Sequence, residues 1–525
     1  MEASWISLVP PCMVIIAIFM TNRLNTSLAC GVLCAALLVT GGNIHKACTM
    51  IISKGIGYIA DVDTIYLYLL LICISSLVVL LGTTGSAVGG ARILGKKIRD
   101  KKSVEIGTFF LSVLLSIDDY LSILTVGFVM SPVADRLHVA RTKLAYIIRA
   151  LAGPLVVIIP ISTWAAAILA QLDTAGIGNA LSSKIIGDPF CIYLSTIPFV
   201  FYSLFTIISV WFVIGCRISF GPIRQDEINV LVDDEHEEQE QQYNPHSLTE
   251  LFMPIIILVM GVFVGILYSG GYYLLGGHNS FIEAFRENEN TFLVLFLASF
   301  NALIMSIMLS VYKNLITIKE LPSVVGKGFL LIWSSLVMIA LATLLGSFLR
   351  IELQTGSYVA YVLLGTTPAV CIPLLLFIVS LAITLATGSA WGTFSLLIPI
   401  TTQMLLSFFH LQSPLSFDLV PLLFPSLGAV LSGAVCGNHI SPIADTTVLT
   451  ATSMGINPLD HIRTQMAYIV PVIIGSAFSF LAAGIFSSYG VWVSCLSSIA
   501  IGLTVIILLF LLGSFFYKEE KRAVK

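Results

Sequence analysis

Apolar stretches long enough to cross a bilayer follow one another along this chain, and a few of them carry carboxylates in their interior. A helix needs roughly 20 apolar residues to span the hydrocarbon core. The stretches 5–20, 26–41, 64–82, 103–130, 144–171, 190–215, 251–275, 291–312, 328–348, 367–386, 390–408, 419–436, 464–486 and 491–516 approach or exceed that length. Of the 525 residues, 57% are hydrophobic and 10% charged, whereas soluble domains carry about a quarter charged residues. So few charges cannot cover a water-facing surface. The expected fold is an all-α polytopic membrane protein in a lipid bilayer, with about 11–14 spans, some of them broken or re-entrant. Segments near 43–60 and 279–287 read as interfacial.

Several function classes fall away at this stage. No GxSxG, HExxH or P-loop string occurs, so an enzyme is not expected. The ten cysteines lie in apolar segments without a CxxC pair or a Cys/His cluster at metal spacing, which leaves no cofactor implied. Cys30 and Cys34 share a helix face and read as small packing residues. The net charge of −3 is confined to a few loops and points to no nucleic acid. MEASWISLVPP has neither the charged start nor the cleavage site of a signal peptide, so Trp5–Met20 reads as a retained first span.

An octet occurs twice, RTKLAYII at Arg141–Ile148 and RTQMAYIV at Arg463–Val470, with five identical positions. A second string, TGSAVG at 84–89, returns as TGSAWG at 387–392, in the same order relative to the octet. Carboxylates lie between the two strings in each half: Asp118 and Asp119 in SIDDYLSILTVG, Asp445 in GNHISPIADTTV. The spacing to the octet favours aligning Asp119 with Asp445, although SPVAD at 131–135 also resembles SPIAD at 441–445. Matching interruptions in two halves predict a duplicated transporter with its site between the repeats. The halves are 1–216 and 249–517, joined by an acidic flexible linker at 217–248 and followed by a basic tail at 518–525. Arg92, Lys96, Lys97, Arg99, Lys101 and Lys102 follow the first TGSAVG, whereas no Lys or Arg occurs between Arg350 and Arg463. That asymmetry suggests inverted repeats, with the first cluster and the C-terminus cytoplasmic.

Ionisable groups inside apolar segments are costly and usually functional. If 103–130 were one helix, Asp118 and Asp119 would sit near its middle, roughly 100° apart around the axis. One would bind a cation while the other capped a helix end. In the second motif, Gly437 and Pro442 break the helix beside Asn438, His439, Ser441, Asp445, Thr446 and Thr447. Carbonyls, hydroxyls and a carboxylate suit Na⁺, expected at Asp445 and Asp119, and Asp445 can also take a proton. Thr387 and Ser389 supply hydroxyls for close packing or for ion ligation. His439 is a candidate pH sensor or a structural hydrogen-bonding group. Arg149 lies roughly 12 Å further along the helix than Arg141. It would snorkel, pair with Asp118 or Asp119, or face an anionic substrate, and buried pairing is the favoured outcome.

These strings resemble the NhaC family of Na⁺/H⁺ antiporters. The resemblance runs from about Gly55 to Phe486 and is strongest at SIDDYLSILTVG, RTKLAYII, IIPISTW, LATGSAWGTFSLLIPI and SPIADTTV. It implies a proton-coupled secondary transporter of the plasma membrane, with Asp118, Asp119 and Asp445 at the ion-handling positions. The chain departs from the family pattern at Asn438 and Arg149, both of which replace acids. The expected activity is Na⁺/H⁺ antiport by alternating access with buried carboxylates. The other reading, on the same scaffold, is coupled exchange of a small organic acid or amino acid.

Overall fold

The computed structural model describes residues 4–21, 23–86, 98, 100–178, 183–216, 218–219, 221–229, 249–286 and 290–523. Among these, ten helices are long and apolar enough to cross a bilayer, or up to twelve if two bent pairs count as one span each. The stretch read as interfacial at 43–60 forms the helix Ile44–Ile59, bent by 119° from its predecessor Leu24–Val39. The one departure from an all-helical chain is a small parallel sheet in which Ile177–Gly178, Ile185–Ile186 and Leu415–Ser416 lie in that order. Residues 87–89 of the first TGSAVG, Arg92, Lys96, Lys97, Arg99 and residues 230–248 of the acidic segment lie outside the described residues.

Two helical pairs turn back on themselves. The stretch 103–130, read above as one span, is instead Lys101–Leu114 and Asp119–Arg136. They lie side by side: Ser122 Oγ donates to the Ser112 carbonyl at 3.5 Å, and a Cβ on Gly107 would stand 3.7 Å from Met130. The reversal follows from Asp118, which is extended and accepts the Leu121 N–H at 3.0 Å, so that it starts a new helix instead of continuing the old one. The second pair, Ile372–Thr387 and Ala390–Phe408, reverses at Gly388, which is left-handed at φ 68°. Ser389 caps the returning helix by accepting the Gly392 N–H at 3.2 Å, and Thr384 donates to Thr393 across the turn at 2.7 Å.

Two further helices are broken midway by the same local grammar. Arg141–Ile158 and Leu423–Ile440 each run 18 residues, then meet an extended residue before a proline, Ile159 before Pro160 and Ser441 before Pro442. A residue preceding proline is pushed out of the helical region, and the proline offers no N–H to the preceding turn. Three residues after each proline a new helix begins, Thr163–Thr174 in one case and Asp445–Met454 in the other. The first pair is bent by 44°. The two broken helices run in opposite directions, because Arg141 at the start of the first donates to the carbonyl of Met454 at the end of the second at 3.1 Å. Thr163 and Asp445 each stand first in the helix that follows a break.

The repeated octets occupy another relation. Both helices start at the same end, since Met454 leads directly into the helix Pro458–Phe486, and Tyr146 and Tyr468 face each other with ring centroids 5.0 Å apart. Two strings that run side by side in one direction are not inverted counterparts. The start of the expected flexible linker is also ordered. Gly221–Asn229 forms a helix docked on the first octet, where Thr142 donates to Asp226 at 2.8 Å and Lys143 pairs with Glu227 at 2.9 Å. Lys143 pairs as well with Glu105 on the first hairpin at 2.6 Å.

Ile372–Thr387 and Leu423–Ile440 pack closely along a seam of glycines. A Cβ on Gly433 would lie 2.5 Å from the Phe377 carbonyl oxygen, and one on Gly437 would lie 2.6 Å from that of Leu381. Real side chains cannot stand so close to backbone atoms, so both positions require glycine. Gly437→Val is expected to force the helices apart and to cost about 1–3 kcal/mol. Thermal unfolding of the purified variant in detergent checks this, and an unchanged midpoint would refute the close packing.

Candidate functional site

The first hairpin presents its tip to the break of the neighbouring helix. Thr163 Oγ1 donates to Asp118 at 3.3 Å, and the Thr163 N–H donates to the Ile117 carbonyl at 3.3 Å. Ser162 caps the helix after the break through the Ala165 N–H at 3.0 Å and also donates to the Val156 carbonyl at 2.7 Å. Asp118 therefore serves two helix starts at once, one in its own hairpin and one next door. Asp119 is the first residue of its helix and is 3% exposed. It lies within electrostatic range of Asp118, Asp445 and Arg149. Its carboxylate meets its own backbone N–H. Ions are strongly disfavoured in such a place unless a proton or a cation accompanies them.

The second break supplies the other wall. Arg149, 1% exposed, donates through Nη2 to both the carbonyl and the side-chain oxygen of Asn438, each at 2.7 Å. Asn438 in turn donates to the Gly388 carbonyl at the second hairpin turn at 2.9 Å and accepts from Thr446 at 3.1 Å. Ser441 donates to the Leu385 carbonyl at 2.9 Å, and Thr447 donates to the Ser441 carbonyl at 3.1 Å. Asn438 thus joins a hairpin, a broken helix and the first-half arginine in one node. The favoured pairing of Arg149 with a carboxylate is not found. Asn438 offers its backbone carbonyl and its side-chain oxygen to the one nitrogen Nη2, and the nearest acid remains at electrostatic range.

Asp445 also departs from expectation, being exposed. It begins a helix whose positions Val448 and Thr452, on the same face, are exposed too. Tyr120, 38% exposed, donates its hydroxyl to the Asp445 carboxylate. The Thr446 N–H donates to the other oxygen at 2.7 Å. The site therefore has an open side at Asp445 and Tyr120 and a closed interior at Asp119 and Arg149. The second hairpin adds only backbone and caps: Thr387 accepts from the Ser389 N–H at 3.3 Å, and Ser389 is occupied as a cap. His439 is fully buried and shares a 2.7 Å hydrogen bond between Nδ1 and the Tyr202 hydroxyl.

Sequence reasoning passed over Tyr120, Thr163, Tyr202, His461 and Gln465. Tyr120 was marked only by its place beside Asp119, and Thr163 lay inside the IIPISTW string without a role. Gln465, in the second octet, donates to the His439 carbonyl at 3.0 Å, a contact that no local pattern announces. No group of three or more His, Cys, Asp or Glu side chains among the described residues has the spacing to hold a metal ion tightly.

Similarity to known proteins converges on this architecture. Over 488 residues the chain is 28% identical to an uncharacterized protein of Haemophilus influenzae, covering 91% of this chain and 90% of that one. Over 230 residues it is 26% identical to the malate-2H⁺/Na⁺-lactate antiporter of Bacillus subtilis, covering 44% of this chain and 42% of that protein. Among solved structures, the YdaH transporter of Alcanivorax borkumensis shares the fold with a TM-score of 0.51 and 14% identity, over 86% of this chain and 90% of that one. MtrF of Neisseria gonorrhoeae, from a class of antimetabolite efflux pumps, shares it with a TM-score of 0.55 and 15% identity, over 85% of each chain. Residues 171–485 match the model of the Na⁺/H⁺ antiporter family. With more than half of its length accounted for in this way, the chain belongs to the Na⁺/H⁺ antiporter family.

Proposed function

We propose that the protein exchanges Na⁺ for H⁺ across the plasma membrane, with its C-terminus cytoplasmic. The observation that carries this reading is the convergence on Asp119 of its neighbour Asp118, of Asp445, which Tyr120 holds from the next position, and of the guanidinium of Arg149. When all are ionised, three carboxylates against one guanidinium leave a net negative charge, for which Na⁺ and H⁺ compete, so that one binds as the other leaves. Asp445, open and oriented by Tyr120, receives the cation, and Asp119, closed off behind it, exchanges it for a proton. Arg149 holds one positive charge permanently in place, which keeps the empty site from repelling itself apart. Ser441, Thr446, Thr447, Thr387 and Ser389 shape the surrounding backbone through their hydrogen bonds and so act as positioning groups.

Two hairpins and two oppositely directed broken helices support an inverted repeat whose halves alternate the open side. In that scheme Lys101–Arg136 corresponds to Ile372–Phe408, and Arg141–Thr174 to Leu423–Met454. Rocking of one set against the other moves the break residues relative to the hairpin tips.

The purified protein in vesicles with a preset pH gradient tests the reading. Addition of Na⁺ is expected to dissipate the gradient, and the response should be lost in Asp445→Asn. Absence of a Na⁺ response in the wild type between about pH 6 and 9 overturns Na⁺/H⁺ exchange. The similarity to the Bacillus subtilis antiporter favours a second reading, coupled exchange of a small organic acid. A gradient dissipated by lactate or malate but not by Na⁺ alone would select it.

A further inference from the structure

Behind Arg149 lies a compartment of polar side chains that the ion site does not use. Arg149, Tyr202, His439, His461 and Gln465 are each at most 1% exposed, yet they come from four different helices. Three of their polar atoms have no hydrogen-bond partner, Arg149 Nε and both ring nitrogens of His461, while the Gln465 side chain lies against the His439 ring. Leaving a buried polar atom unpaired costs about 1–3 kcal/mol, so three such atoms are costly in a dry interior. Polar cavities of this kind hold water, typically making about three hydrogen bonds each. Both histidines lie within electrostatic range of Arg149 and of each other.

The compartment has a direction. His461 is in the first turn of its helix, next to exposed Asp460, and so marks the end nearer the surface. Gln465, one turn further, donates to the His439 carbonyl, and the adjoining Asn438 carries Arg149. The His439 ring is held at Nδ1 by the Tyr202 hydroxyl, and the Gln465 side chain lies against it. A neutral imidazole that takes a proton on one nitrogen and releases one from the other ends in the opposite tautomer, so each transfer is followed by a return step before the next.

We propose that water held by His461, Gln465 and His439 carries protons between the surface beside Asp460 and the Arg149–Asp119 centre, along a route separate from the Asp445–Tyr120 opening that admits the cation. The groups facing this route are Arg149, His439, Tyr202 with its neighbour Cys436, and Asp460 and Arg463 on the helix of His461 itself. The proposal rests on the proton-coupled reading above.

Two measurements on the full-length protein decide it. In vesicles, His461→Phe should lower Na⁺-driven proton flux roughly tenfold relative to Na⁺/Na⁺ exchange measured in the same preparation. An unchanged ratio of the two fluxes overturns the route, and so does a parallel fall of both. In the wild type, X-ray radiolysis should oxidise His461 and His439 as readily as surface histidines, because bound water supplies the radicals. Labelling at the rate of a dry buried side chain overturns the proposal. If the wild type shows no proton flux at all, the functional reading fails, and the labelling still reports whether the water is there.

Discussion

Replacing Asp119 by asparagine is expected to lower Na⁺-driven proton flux by roughly a hundredfold, equivalent to about 2.7 kcal/mol in the barrier. The substitution keeps the shape of the side chain and removes its ability to take a proton or to balance a cation. Asp119 is buried at the start of a helix and is flanked by Asp118, Asp445 and Arg149. The helix start keeps its cap at Asp118, so the substitution should not unravel the hairpin. The variant should therefore elute as a monodisperse protein with an unchanged melting point. A flux within about threefold of wild type would remove Asp119 from the coupling scheme.

Arg149→Ala should act on stability as much as on transport. The guanidinium fills the space between two broken helices and donates to two oxygens of Asn438. Its removal leaves a buried carbonyl without its donor and Asp119 without a neighbouring positive charge, a loss on the order of 3 kcal/mol. Lysine should restore part of the loss, because both bonds leave one nitrogen, Nη2, and an ammonium on a long stem carries several donors on one atom. The measurement is thermal unfolding of Arg149→Ala, Asn438→Ala and the double variant. Coupling of more than about 1 kcal/mol between the two sites is expected for groups in direct contact. Additive effects would mean that the two residues act independently and that Arg149 has some other partner.

Much of this molecule could be read along the chain. The helical membrane class followed from charge scarcity and stretch length, and the two proline breaks lay inside strings already singled out, IIPISTW and SPIAD. What remained hidden depended on geometry between distant segments. Nothing near Arg149 indicates Asn438, which lies 289 positions away. The turn at Asp118 was obscured because flanking apolar residues suit one long helix as well as two short ones, and only the cap decides. The duplicated octet misled for a related reason. Similar strings report similar local demands, here two helices that run side by side and stack through Tyr146 and Tyr468, and such demands arise without any symmetry between the halves. Exposure of Asp445 was likewise unreadable, since it depends on which face of a ten-residue helix the remaining elements leave open.

Lys143, 5% exposed, joins three segments that are remote in the chain: Glu105 in the first hairpin, its own octet, and Glu227 in the helix that follows the first half. Its ammonium works as a clasp, fastening the helix that follows the first half back onto the first hairpin. Such a half carries its own closure and does not depend on covalent continuity downstream of Asn229. Fragments 1–229 and 249–525, produced as two polypeptides in one membrane, should then find each other and co-purify. With Lys143→Met the clasp is lost, and recovery of the pair should fall severalfold.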